Sequence, residues 1–223
     1  MGIDMDIKKN TVSAINQMIS SSELSFLGKE NAKTRILIVG NSITRHGPKP
    51  DIGWEGDWGM AASAEDKDYV HRLYAKLCEA GIDVYMRIRQ CAFWERNYRK
   101  DDILSNYDDE HNFKADIVVF RLGENVLEED LPYFKDALEK FIDYITPENG
   151  KVIFLTCFFK MDKLDADIRA VAKQRGDVCL EACFSSDETN MALGQFWHEG
   201  VSIHPSDKGM EAIADLIFSA LKR

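Results

Sequence analysis

Three short stretches of this 223-residue chain place reactive side chains where an apolar run stops. Residues 35–40 (RILIVG) run into Asn41-Ser42, and Gly40 permits a tight exit that would set Ser42 at the tip of the turn, hydroxyl and amide toward a crevice. A serine so placed is a candidate nucleophile, provided a base takes its proton. Two other roles compete on these residues alone. Serine is a common helix N-cap, and a phosphate-binding loop also follows a strand, although neither GxGxxG nor GxxxxGK[ST] is present. Residues 116–122 (DIVVFRL) end in the same way on Gly123-Glu124-Asn125. An asparagine at a strand tip can donate its side-chain amide to an oxyanion, or simply form the turn. Near the C-terminus, His204 precedes Pro205 and Ser206 in VSIHPSDKGM. Proline restrains the residue before it, so this imidazole sits on a rigid loop ahead of a terminal helix.

For these tips to converge, the strands must lie side by side. Apolar strand patterns recur at 35–40, 83–89, 116–122, 151–158 and 177–183, and three of them are nearly continuous, as strands covered on both faces require. Helical patterns fill the gaps at about 60–80, 130–146 and 162–175, and a last one at 206–222 aligns Met210, Ile213, Ala214, Ile217 and Leu221. Gly81, Gly150 and Gly176 punctuate three helix-to-strand passages. The alternation predicts an α/β fold: a doubly wound parallel sheet of five strands with helices on both sides. Functional groups then gather at the carboxyl ends of the strands. Residues 1–30 read as an appendage, a weak amphipathic helix and a Ser-rich joint, and 31–223 as one domain.

Composition narrows the partners. Apolar residues make up 45% and charged ones 30%, as in ordinary globular chains. The net charge of -10 and the lack of a basic cluster argue against nucleic acid and against an anionic membrane surface. No charged-then-apolar leader pattern opens the sequence, and no apolar run is long enough to span a bilayer. Five cysteines, an odd number with three in strand-like runs, read as free thiols in a reducing cytoplasm. Oligomeric state is not legible.

Taken in order, GNSIT with Ser42, GENV with Asn125 and VSIHPSDKGM with His204 resemble the SGNH/GDSL hydrolase superfamily, over residues 35 to 222. The resemblance implies a three-layer α/β/α, flavodoxin-like sandwich and hydrolysis of short-chain or carbohydrate acyl esters through an acyl-enzyme, with no metal or organic cofactor. Ser42 would be the nucleophile, His204 its base, and Ser42, Asn125 and an amide of the second loop, that of Ala92, the oxyanion donors. The departures are specific. Asn41 replaces the aspartate of GDS, the second-loop glycine is missing from QCAFWERNY, and Val201 stands three before His204 where the family has aspartate. Valine cannot orient an imidazole. Glu199 is the candidate substitute, or else a backbone carbonyl holds the ring in a Ser–His dyad. Asp207 reads as a helix-dipole acid.

Trp54 and Trp58 after the first strand, and Phe93 and Trp94 after the second, could form a stacking platform for a sugar ring or pack the loops against the body. Glu95 and Arg121 are possible polar contacts, or a brace. An acyltransferase or a non-catalytic carbohydrate-binding module on the same fold are the alternatives. A metal site from His198, Glu199 and His204 is disfavoured by its spacing, six residues between histidines rather than four.

Overall fold

The computed structural model describes residues 24–222. Six strands form one sheet: β1 (Leu24–Gly28), β2 (Thr34–Gly40), β3 (Val84–Gln90), β4 (Ile117–Arg121), β5 (Lys151–Leu155) and β6 (Val178–Leu180). Their order is β1-β3-β2-β4-β5-β6, and every pair is parallel except β1 with β3. The five expected strands are all present. The sixth, β1, comes from the stretch read as an appendage and pairs antiparallel along the outer side of β3, where Phe26 stacks on Tyr85 with ring centroids 5.5 Å apart. The amphipathic pattern expected before it lies outside the described residues.

Alternation along the strands divides the core into two layers. Leu37, Val39, Val118, Phe120, Val152 and Phe154 face one way, against α2 (Ala92–Asn97), α3 (Asp108–Phe113), α4 (Phe134–Ile145) and α5 (Asp162–Arg175). Ile36, Ile38, Met86, Ile88, Val119 and Ile153 face the other way, against α1 (Tyr69–Glu79) and α7 (Asp207–Leu221). The helix expected over 60–80 starts only at Tyr69, where Asp68 caps it by accepting from the His71 amide at 2.7 Å. Residues 41–68 form instead a long loop over a third small cluster of Ile52, Trp54, Met60, Ala61, Ala192 and Val201. Among the described residues, no helix is long and apolar enough to cross a membrane, and all five cysteines are unpaired.

The order of strands decides where a crevice opens. From β2 the chain crosses by α1 on one face, and from β4 by α4 on the other. The carboxyl ends of β2 and β4 are neighbours, so their loops part and leave a crevice between them, the usual ligand position in open α/β sheets.

At the β3 side, Glu110 on α3 is fully buried and accepts from Arg87 at 2.7 and 2.8 Å. Removing the carboxylate would leave the Arg87 guanidinium buried without its partner. Glu110→Ala is therefore expected to cost roughly 3–5 kcal/mol of folding free energy, seen as a lower urea midpoint at unchanged slope. A loss under about 1 kcal/mol, the worth of an exposed pair, would contradict this.

Candidate active site

β2 stops because the chain must turn sharply at Gly40: a Cβ there would lie 1.8 Å from Thr44 Oγ1. The turn closes with Thr44 N–H and Arg45 N–H donating to the Asn41 carbonyl at 2.9 and 3.0 Å, and Ile43 N–H donating to Asn41 Oδ1 at 3.2 Å. Asn41 thus performs the turn chemistry of the aspartate it replaces. Ser42 stands at the tip, its own N–H used by none of the loop's backbone hydrogen bonds.

His204 reaches the same point from the C-terminal side. A short helix, α6 (Glu199–Ser202), leads into it, and Ser206 then caps α7 by accepting from Gly209 N–H. Between them Ala192 N–H donates to the His204 carbonyl at 2.9 Å, which pins the loop. The ring is held at both nitrogens: Nδ1 lies 2.7 Å from the Gly200 carbonyl and Nε2 lies 2.7 Å from Ser42 Oγ. A carbonyl oxygen can only accept, so Nδ1 carries the proton. Nε2 is then the acceptor, and the Ser42 hydroxyl donates to it. Burial pushes the His204 pKa down to about 3, against the pull of the Gly200 carbonyl in the other direction. The imidazole is neutral and ready to take a proton.

The third tip, after β4, turns at Gly123 (φ +149°), where a Cβ would meet Cys157 Sγ at 2.5 Å. Beneath Ser42 this loop joins a buried polar network. Glu124 accepts from Asn41 Nδ2 at 2.7 Å, from Phe158 N–H at 2.8 Å and from Arg121, whose other Nη donates to Asn41 Oδ1 at 2.7 Å. Glu95 accepts from Gly123 N–H at 2.6 Å and Asn125 Nδ2 at 2.7 Å, and more distantly from Asn41 Nδ2 at 3.2 Å and Asn125 N–H at 3.4 Å. Burial, and next the Glu124 carboxylate, push Glu95 above the ordinary carboxylate range. The segments after β2, β3, β4 and β5 are tied together here.

The crevice above has a volume of about 540 Å³. Ser42, Asn125 and His204 share its wall with Ile43, Phe159, Met161 and Ile203, with Lys160 at the rim. Several expected positions lie elsewhere. Glu199 is exposed and makes no hydrogen bond to the ring; the backbone carbonyl of Gly200 orients it instead. Val201 is fully buried against the apolar cluster under the long loop. The Ala92 N–H is spent on the Gln90 side chain at 3.1 Å, because Ala92 opens α2 and points into the body. Trp54 and Trp94 are 2% and 0% exposed and Trp58 packs on Trp54, so none forms a platform at the crevice. Trp94 stacks on Phe141 at 4.6 Å in the core. Glu95 is not a crevice contact either; it is a buried hub beneath Ser42, and Arg121 braces Glu124 rather than Glu95. Among the described residues no group of three or more His, Cys, Asp or Glu side chains, His198, Glu199 and His204 included, is placed to hold a metal ion. Of the two orienting groups the sequence leaves open for His204, the structure has the backbone carbonyl, that of Gly200; which carbonyl it is, and the part of Glu124, the sequence reading does not reach. The first carries no side-chain signal; the second stood in view inside GENV.

No family model and no curated sequence matches the chain. Solved structures do. An alpha/beta hydrolase enzyme from the metagenome of Lake Arreo, Spain, is 19% identical with a TM-score of 0.58, over 86% of this chain and 96% of that one. An acetylxylan esterase from Geobacillus stearothermophilus is 16% identical with a TM-score of 0.58, over 86% and 95%. A variant of that esterase with a histidine replaced by alanine is described as a catalytic mutant. A lipolytic protein of the G-D-S-L family from Desulfitobacterium hafniense is 13% identical with a TM-score of 0.51, over 84% and 99%. At this level of identity the likeness is one of fold: the three-layer α/β/α sandwich of these hydrolase structures is matched over 84–86% of this chain.

Proposed function

We propose that the protein is a serine esterase that cleaves short-chain acyl esters, those of carbohydrates included, through an acyl-enzyme on Ser42. One observation carries the reading: Ser42 Oγ lies 2.7 Å from His204 Nε2, while a carbonyl fixes the other nitrogen as the protonated one. A hydroxyl is a poor nucleophile until a neighbouring base accepts its proton. His204 takes that proton as Oγ attacks the ester carbonyl, and returns it to the departing alcohol. Water then enters, loses a proton to the same nitrogen and releases the acid. The developing oxyanion is met by the Ser42 N–H and by Asn125 Nδ2, each worth on the order of 3 kcal/mol of barrier. No carboxylate backs the imidazolium that forms; the Gly200 carbonyl does so with a dipole. Ile43, Phe159, Met161 and Ile203 give an acyl group an apolar wall. The carbohydrate part rests on the likeness to the Geobacillus acetylxylan esterase. Because none of the aromatic rings expected to stack a sugar lines the crevice, the leaving alcohol is recognised at the open rim.

A fluorophosphonate probe is expected to label the protein stoichiometrically, and Ser42→Ala to abolish labelling and lower p-nitrophenyl acetate turnover by at least about 10³-fold. Undiminished labelling of Ser42→Ala, or no labelling of the wild type at any pH, would contradict the reading.

The lowered pKa of His204 sets the pH profile. An ordinary histidine loses its basic form below about 6.5; here the folded ring stays neutral down to about 3. The acid limb of kcat/KM is therefore expected well below the ordinary histidine value, followed over the range in which circular dichroism shows the fold intact. Stability moves oppositely. Unfolded His204 binds a proton below about 6.5 that the folded ring refuses. The contribution of this residue to stability is thus full above that pH and declines as pH falls toward about 3. An acid limb at the ordinary histidine position would contradict the neutral, half-buried base.

A further inference from the structure

The loop after β3 supplies the crevice with no amide: Cys91 N–H donates to the Gly40 carbonyl at 2.6 Å and Ala92 N–H to Gln90. What that loop sends toward the site is the carboxyl group of Glu95. We propose that Glu95 is a positioning residue, which holds one hydrogen of Asn125 Nδ2 so that the other is presented to the oxyanion. The inference rests on the esterase reading and deepens it.

The chemistry of the contact is one-directional. An ionised carboxylate only accepts, and the four groups that converge on Glu95 are all N–H donors: those of Gly123, Asn125, the Asn125 side chain and the Asn41 side chain. An asparagine amide has two nearly isosteric ends, and only one of them is useful to an oxyanion. Turned over, Asn125 would set its carbonyl oxygen against Oε2 of the fully buried Glu95, acceptor against acceptor, where that repulsion is less screened than in water. Glu95 therefore selects the end of the amide as well as its position. A glutamine at 95 would offer one acceptor oxygen and bring an NH₂ against the donors already there.

A double-mutant cycle tests this. Asn125→Ala is expected to lower kcat by roughly 10²–10³-fold, as loss of an oxyanion donor does, with KM little changed. Glu95→Gln is expected to lower kcat by about 10- to 100-fold, a part of that same effect. In the Asn125→Ala background, Glu95→Gln should cost almost nothing more in kcat. Fold losses that multiply would show that Glu95 merely braces the loops, and overturn the proposal. Full kcat in Asn125→Ala would also overturn it, while fluorophosphonate labelling of Ser42 reports separately on the esterase reading. Should Glu95→Gln fail to fold, the wild type is measured by ¹H–¹⁵N spectra, with the Asn125 side-chain pair identified by its loss in Asn125→Ala. One amide proton shifted downfield and slow to exchange, the other free, is expected. Two equivalent, rapidly exchanging protons would overturn the proposal.

Discussion

The site depends on a neutral imidazole with a fixed tautomer. His204 has two nitrogens, and the backbone carbonyl of Gly200 decides which of them carries the proton. The hydrogen bonding of the site is set by that choice: Nε2 keeps its lone pair and Ser42 can donate to it. A carboxylate in the same place would fix the same tautomer and also stabilise the imidazolium in the transition state. The carbonyl fixes geometry at lower electrostatic strength. Val201, three residues before His204, packs with Ile52, Trp54 and Met60 instead of approaching the ring.

The remaining charge is placed below the serine rather than behind the histidine. Glu95, Glu124 and Arg121 are buried or nearly so, and they bind to one another through Asn41 and the backbone. Such a network is stable only when every polar group has a partner. Here the partners come from the segments after β2, β3, β4 and β5, so the satisfaction of the network and the alignment of those tips are one requirement. The sheet brings the tips near; the network sets them within hydrogen-bonding distance.

Legibility in the sequence followed this division. β2, β4 and β5 were visible because strands buried on both faces must be apolar throughout, and the reactive tips because a glycine followed by a polar residue interrupts such a run. β1 was not visible. LSFLG is short, and its pairing to β3 is a tertiary fact. The crevice expectation for Trp54, Trp58 and Trp94 failed because loop position does not reveal which way a ring faces, and large aromatics gain most from burial. Glu95 looked like a substrate contact for the same reason. An acid in a polar loop segment reads as exposed until its donors, 28 and 30 residues away in the chain, are known. Glu199 was sought as an orienting acid because side chains are what a sequence displays. The group that orients His204 is a peptide carbonyl, which every residue has.

The central claim is a neutral His204 protonated on Nδ1 and accepting from Ser42 on Nε2. Imidazole ¹⁵N shifts of the uniformly labelled protein, assigned through His204→Gln and followed from neutral to mildly acidic pH, read both points at once. The expected spectrum shows one pyrrole-like nitrogen at Nδ1 and one pyridine-like nitrogen at Nε2, unchanged over that pH range. An imidazolium at neutral pH, or a proton on Nε2, would contradict it.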